Sequence, residues 1–384
     1  MDRRRFEDRF GAAPQAWVRS PGRVELLGNH TDYNGGFVLT VAIDRFIEMA
    51  GVRTSDEWVT LYSQAFAEEA RFSLQAMERG DGPAWADYGK GVLVELTKRG
   101  VPLGGLQAMI GGNLPIGAGV SSSAALETAT ALLVEALYPY TMDRMEQALL
   151  CQRAENDFVG MPCGLLDQMS CLFGGRDAVL FLDCLTREHQ RLPLPSPVPA
   201  LVLCDSHTKH ALVDGEYRNR REACEKAAAW FGQALGRPVR CLREVSKEEF
   251  RIHAGRLEDV PRRRARHVIE ENERVQQGVI ALERKDLPRL GELMRQSHES
   301  SKTLFENSCL ELDVLVEEAG RIDGCYGSKL TGGGFGGCTV NLVEAMRVPA
   351  FCETIQARFQ ERTGKPCGVM TCSFAEGAAI LNMD

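Results

Sequence analysis

The segment that most restricts how this chain can fold is Pro115-Ile116-Gly117-Ala118-Gly119-Val120-Ser121-Ser122-Ser123-Ala124-Ala125, where a loop of glycine and serine runs straight into a strongly periodic helix. Apolar Ala125, Ala129, Leu132, Leu133 and Leu137 fall on one stripe, so the helix has a face to bury while its first amides remain unpaired in the loop. Free N–H groups and the positive end of the helix dipole converge there, an arrangement that cradles phosphate. The loop lacks the GK(S/T) ending of a Walker loop and is not GxGxxG, which removes two common nucleotide-binding motifs. Taken alone, a glycine-rich turn with Ser122 as an ordinary helix cap explains the pattern equally well.

At 384 residues the chain exceeds the ~100–200 residues of one ordinary domain, so two domains are expected. The run Leu192-Pro193-Leu194-Pro195-Ser196-Pro197-Val198-Pro199 cannot be helix or central strand and reads as the connection, which gives an N-terminal domain over 1–185 and a C-terminal one over 200–384. Strands are expected at 16–19 and 23–27, separated by a Ser20-Pro21-Gly22 turn, and at 36–43 after an Asn34-Gly35 hairpin signal. Helices are expected at 84–99, 122–137, 216–235, 265–283, 286–302 and 310–322, and further strands at 337–343 and 368–374. Both halves therefore mix α and β.

Several function classes fall away on bulk properties. No apolar run approaches the ~18 residues that span a bilayer, and Met1-Asp2-Arg3-Arg4-Arg5 is followed by no apolar leader core, so a cytoplasmic location is expected and no membrane association. The 13 cysteines are odd in number, none precedes Cys151 and none forms CxxC, which fits reduced, packed thiols and leaves structural zinc without a motif. A net charge of −8 opposes general nucleic-acid binding. The cluster Arg262, Arg263, Arg264 and Arg266 is followed by Glu270, Glu271 and Glu273, which reads as a solvated helix of mixed charge.

Three other constellations carry chemistry. Ser20 to Gly36 reads SPGRVELLGNHTDYNGG, and its Asn29, His30 and Asp32 could each fix the direction of a hydroxyl, although turn formation alone accounts for Asn34-Gly35. In the stretch Glu155 to Gln168, Asp167 follows apolar residues, and a buried carboxylate there needs a partner such as Arg23 to stay ionised. Lys329 to Cys338 holds five glycines within the six residues 332–337, which permits close backbone approach to a ligand.

Together these segments resemble the GHMP kinase superfamily, and SPGRVELLGNHTDYNGG looks like the signature of its galactokinase branch. Pro115 to Ala125 is similar to the family's PxxxGLSSSAA motif with Val120 for Leu, Lys329 to Cys338 to its third motif, and 214–221 and 296–298 also match. The resemblance implies an α+β fold of two domains, an N-terminal ribosomal-protein S5-like domain with a left-handed βαβ crossover and a C-terminal α+β domain. It implies an ATP-dependent sugar 1-kinase using Mg²⁺, with a small sugar as its partner and a monomer as the family's commonest state. Carried over by motif, Asp167 and Arg23 are catalytic and Ser123 and Glu155 bind the metal. Gly117, Ala118, Gly119, Val120, Ser121, Ser122 and Ser123 bind ATP, while His30, Thr31, Asp32, Gly164 and Tyr217 serve the sugar, with Asn29 where the family usually has Glu. That departure keeps a C6-altered sugar such as galacturonate, N-acetylgalactosamine or arabinose open as substrate, and a non-catalytic sugar sensor is the remaining alternative.

Overall fold

The computed structural model describes residues 2–209 and 213–382, with the side chains of Lys209, Val213 and Asp214 outside that description. One sheet has eight strands, β1 (Ala16–Leu27), β2 (Phe37–Arg53), β3 (Trp58–Ser63), β4 (Glu68–Ser73), β5 (Leu106–Gly112), β6 (Ala178–Asp183), β7 (His189–Pro193) and the short β12 (Ala379–Ile380). The other has four, β8 (Ala200–Lys209), β9 (Cys325–Leu330), β10 (Gly336–Val343) and β11 (Gly368–Cys372), in the order β11-β8-β10-β9. The helices are α1 (Arg3–Phe10), α2 (Ala86–Lys98), α3 (Ser122–Leu137), α4 (Arg144–Arg153), α5 (Leu166–Phe173), α6 (Val213–Leu235), α7 (Lys247–His253), α8 (Asp259–Glu283), α9 (Leu287–Ser300), α10 (Leu310–Ala319) and α11 (Val348–Thr363).

The large sheet is organised by β2, which pairs antiparallel with β1 on one side and, on the other, with β6 through residues 37–40 and with β5 through residues 47–53. β3 lies parallel to β5, and α2 belongs to the chain that connects them, the crossover the resemblance implies. Burial along β1 alternates in its first four residues and then becomes continuous, so its start faces water on one side while its end is covered on both. That change of environment places Arg23 and Glu25 in the interior.

Two cores follow. One holds Val18, Met49 and Leu61 against α3 residues Leu132 and Leu133. The second joins Val24, Leu26 and Leu39 of the large sheet to Leu203 and Val340 of the small one and to Leu290 and Met294 of α9. The seam between the two sheets is therefore hydrophobic on one flank, which fixes the polar residues beside it.

The expected elements form, with three instructive differences. Ser20-Pro21-Gly22 makes no turn: β1 continues through it, with a register shift between Pro21 and Arg23. Proline is tolerated where the ladder is already interrupted, and Gly22 serves close packing, because a Cβ there would lie 2.4 Å from a Leu114 methyl and 2.7 Å from the Val120 carbonyl. Asn34-Gly35 likewise forms no two-residue hairpin turn, since β1 and β2 are joined by the whole segment 28–36, which includes a 3₁₀ turn at Asp32–Asn34. β7 ends at Pro193 as an edge strand, so the proline-rich run begins inside a strand before becoming a connection.

All thirteen cysteines are free. The arginine cluster lies at the start of α8, where Arg262 and Arg263 pair with Asp259 and Arg266 with Glu270, while Arg264 is buried and holds the Leu304 carbonyl and Glu306. Among the described residues no helix is long and apolar enough to cross a membrane.

Helix α9 and strand β9 approach through two glycines, Gly291 and Gly327, and a Cβ on Gly291 would fall 1.7 Å from the Tyr326 carbonyl. Gly291→Ala is therefore expected to lower the denaturant midpoint, with a cost of about 1–3 kcal/mol from overpacking, as read from equilibrium unfolding.

Candidate active site

At the covered end of β1, Arg23 donates from Nε and Nη2 to Asp167 Oδ1 at 2.7 and 2.6 Å, and from Nη1 to the Gly119 carbonyl at 2.8 Å. Burial works against the guanidinium charge, yet the adjacent Asp167 carboxylate outweighs it and raises the Arg23 pKa. Asp167 stands in the first turn of α5, and its Oδ2 accepts a short hydrogen bond from Ser121. Ser121 occupies the cap position of α3 in the left-handed region at φ 58° and makes no capping bond. Its hydroxyl being committed to Asp167, the first amides of α3 carry no side-chain cap and face outward as the dipole's positive end.

Beside this pair lies a cavity of about 190 Å³ whose walls include Arg23, Glu25, Asn29, His30, Asp32, Glu155, Asp167, Tyr217 and the Gly332-Gly333 backbone. His30 receives a hydrogen bond at Nδ1 from the Tyr33 hydroxyl at 2.9 Å and donates from Nε2 to the Gly333 carbonyl at 3.1 Å, since a carbonyl can only accept. Burial holds His30 neutral by lowering its pKa to about 3. Asp32 moves the opposite way, to about 7, because it is buried and faces Asp167 and Glu25. A Cβ on Gly164 would sit 2.0 Å from Asp32 Oδ2, so the glycine is what lets that carboxylate occupy its place.

Asn29 is saturated. Its amide donates to Glu25 at 3.2 Å and to the Gly332 carbonyl at 3.0 Å, and its Oδ1 accepts from Ser301 at 3.2 Å and Asn307 at 2.9 Å. Two donors and two acceptor sites are all an amide has. Glu25 keeps spare acceptor capacity, with Oε1 paired to the buried Lys329 at 2.6 Å and Oε2 meeting Asn29.

The loop that carries these residues is held from behind by α8. Glu271 Oε1 accepts from the Gly28 amide at 2.9 Å, the Asn29 amide at 3.3 Å and Ser297 at 2.6 Å, His267 Nε2 donates to the Asn29 carbonyl at 2.9 Å, and Asn272 accepts from the Phe37 amide at 2.9 Å. Burial opposes ionisation of Glu271, but Arg274 with His267 and Lys329 holds its pKa down at about 2.

Following α4, a widened turn at Ala154–Val159 carries Glu155 and closes at Gly160 in the left-handed region. Ser123 and Cys163 donate to Glu155, and the Gln168 amide bridges Glu155 and Glu127 at 2.8 and 3.0 Å. Burial and the charge of Asp167 lift Glu155 to about 7, and Glu127 Oε1 and Gln168 Oε1 find no hydrogen-bond partner. This surplus of acidic groups without cationic partners suits a cation arriving with a ligand. Among the described residues no three side chains gather into a closed metal cage, so such a cation would keep most of its coordination for phosphate and water.

Ser123 also lines a second cavity, of about 450 Å³ and walled without charged side chains, together with Gly117, Ser122, Phe66, Trp85 and Tyr88. The Phe66 and Trp85 rings are stacked at 15° with centroids 6.3 Å apart.

The expected site residues thus divide. Arg23, Asn29, His30, Asp32, Glu155, Asp167 and Tyr217 share one cavity, and Gly117, Ser122 and Ser123 the other. Gly119 and Ser121 serve Arg23 and Asp167, while Ala118 and Val120 pack into the core. Thr31 commits its hydroxyl to the Gly28 and Phe37 carbonyls, away from the cavity. Glu25, Glu271 and the ring pair Phe66 and Trp85 were not legible, because no motif or spacing sets them apart from ordinary strand, helix and loop residues.

Three family signatures match the chain: the galactokinase galactose-binding signature over residues 4–53, the GHMP kinase N-terminal domain over 87–175 and the GHMP kinase C-terminal region over 279–361. The chain is 41% identical to a galactokinase of Roseiflexus sp. (strain RS-1) over 98% of its length and 95% of that protein. It is 39% identical to the galactokinase of Homo sapiens over 99% of its length and 95% of that protein. The crystal structure of Lactococcus lactis galactokinase complexed with galactose superposes with a TM-score of 0.94 at 32% identity, covering 99% of this chain and 98% of that one.

Because the Asp32 pKa lies near 7 in the fold against 3.8 in the unfolded chain, its charge costs stability fully above about pH 7 and not at all below about pH 4. Asp32→Asn is expected to raise the melting temperature at pH 8, with the gain vanishing near pH 4, in thermal unfolding at both pH values.

Proposed function

The chain belongs to the galactokinase family of GHMP kinases, and on that premise we propose that it transfers the γ-phosphoryl group of ATP to the anomeric hydroxyl of galactose. The observation that carries this reading is the position of Asp167. It sits between the polar cavity and the uncapped start of α3, tied to Arg23 on one oxygen and Ser121 on the other.

Galactose occupies the polar cavity, with its C1 hydroxyl toward Asp167 Oδ2. As the C1 hydroxyl oxygen bonds to the γ-phosphorus, the bond from that phosphorus to the β,γ-bridging oxygen breaks and ADP leaves, while the hydroxyl proton passes to the Asp167 carboxylate, a transfer worth about 10²–10⁴-fold in rate when the base is positioned. Arg23 fixes the direction of the accepting carboxylate through the ion pair and lies where negative charge grows on the transferring group. The triphosphate lies on the free amides of α3, and the adenine enters the apolar cavity between the Phe66 and Trp85 rings and the wall carrying Gly117. Ser123 and Glu155, hydrogen-bonded to each other where the two cavities meet, would hold Mg²⁺, which supplies charge neutralisation on the phosphates when bound.

The wall chemistry favours a neutral sugar. Four carboxylates, Glu25, Asp32, Glu155 and Asp167, face the cavity against one guanidinium, so an anionic sugar such as galacturonate would meet repulsion. With Asn29 saturated, Glu25 is the acceptor left for a sugar hydroxyl at that corner, which keeps galactose as the substrate despite the missing Glu at 29. We place the reaction in the cytoplasm, where ATP is available.

Asp167→Asn and Arg23→Ala are expected to reduce galactose-dependent ADP release by about 10³-fold or more while unfolding stays cooperative. Unchanged turnover in Asp167→Asn would remove the assignment. In the same coupled assay the wild-type protein is expected to turn over galactose and to leave galacturonate unphosphorylated, and equal turnover of the two would contradict the role given to the carboxylate-rich wall.

A further inference from the structure

Lys90 on α2 is a buried charge that no step above uses. Its side chain is 1% exposed, and an ammonium in such a place must satisfy three donors or destabilise the fold. Two go to main-chain carbonyls of the preceding loop, Glu78 at 3.3 Å and Asp81 by a short bond, while Asp87 Oδ1, 3.4 Å away, balances the charge as an ion pair without a hydrogen bond. The Phe72 ring closes the remaining side, its centroid 5.3 Å from Nζ. The other Asp87 oxygen accepts from the Gly80 amide at 3.0 Å. The loop thus presents carbonyls to the ammonium and an N–H to the carboxylate, with two glycines, Gly80 at φ 76° and Gly82 at φ 101°, supplying the curvature. Lys90 behaves as an internal cation around which residues 78–82 are wound.

What the wound segment supports is not neutral ground. Three residues beyond Gly82 comes Trp85, whose indole stacks on Phe66 in the apolar cavity and whose Nε1 donates to Glu68 at 2.9 Å. Tyr88, on the turn of α2 that carries Asp87 and Lys90, lines the same cavity. Inside the segment, the Arg79 guanidinium covers Gly160, where a Cβ would come 2.5 Å from Nη1, and Gly160 closes the turn that presents Glu155. One short loop therefore braces both the aromatic wall and the Glu155 turn.

We infer that Lys90, with Asp87, is a positioning residue for the nucleotide: its ammonium locks the 78–82 loop and so fixes the aromatic wall against which the base of ATP packs. Lys90 touches neither substrate, and the inference rests on reading the apolar cavity as the nucleotide site. Its signature is selective, because the sugar-facing residues Arg23, Glu25, Asn29, His30, Asp32 and Asp167 stand on β1, the 28–36 segment and α5, none of which Lys90 contacts, and the 78–82 loop reaches the polar cavity only indirectly, through Arg79 over Gly160.

Three variants test it: Lys90→Met, which keeps an apolar stem and deletes the cation; Asp87→Asn, which keeps the cation and loosens the loop; and Trp85→Ala. With cooperative unfolding retained, Lys90→Met and Asp87→Asn are expected to raise the KM for ATP by about tenfold, leaving the KM for galactose within about twofold. Should Lys90→Met fail to fold, Asp87→Asn is read the same way. If Trp85→Ala raises the ATP KM while Asp87→Asn and any folded Lys90→Met leave it unchanged, or shift both KM values equally, the positioning role is overturned and the nucleotide site stands. If Trp85→Ala itself leaves the ATP KM unchanged, the nucleotide reading of the cavity fails, and this inference with it.

Discussion

The ion pair between Arg23 and Asp167 is the contact to which the rest of the site is subordinate. The buried Arg23 could not keep its charge alone without a penalty of several kcal/mol, and with the half-buried Asp167 it draws three distant stretches to one point, the end of β1, the start of α5 and the loop before α3. The constraints around the pair follow from it. β1 must enter the interior with its register shifted beside Pro21, Gly22 must lie flat against Val120, and Ser121 must adopt a left-handed conformation to reach Asp167. Because Ser121 turns away from its own helix, α3 is left uncapped, and the same residue that braces the carboxylate frees the amides on which the proposed phosphate binding rests.

Charges near the seam fall into two populations. Glu271, beneath the sugar-binding loop, is ringed by Arg274, His267 and backbone amides and is ionised down to about pH 2. Asp32 and Glu155, facing the cavity, are lifted to about 7 because they are buried and lie near the Asp167 charge. The first kind stabilises the scaffold. The second stores unfavourable electrostatic energy that, in the reaction proposed above, a hydroxyl-rich sugar and a nucleotide-bound cation would relieve on binding, which is the usual way an active site trades stability for readiness.

Much of this was legible in the sequence, and the reasons differ by element. Helix α3 was readable to the residue because its apolar stripe and its glycine-serine entry agree. Asp167 and Arg23 were identified by resemblance, and chemistry alone could say only that a carboxylate after apolar residues needs a partner. Pro21 and Gly22 misled, since turn chemistry and strand-bulge chemistry use the same residues, and only the packing of Leu114 and Val120 over Gly22 decides between them. Asn29 looked like a change in the substrate contact, whereas its four hydrogen bonds are all spent within the protein and the carboxylate beside it, Glu25, was invisible as one charge in a strand. Contacts such as Glu271 to Gly28, separated by more than two hundred residues, have no local signature to read.

The most direct test of the account is a crystal structure of the wild-type protein with galactose and a non-hydrolysable ATP analogue. The predicted result is the C1 hydroxyl within about 2.6–3.2 Å of Asp167, with the γ-phosphate between Arg23 and the first amides of α3. A sugar that turns another hydroxyl to Asp167, or phosphates bound away from the start of α3, would contradict it.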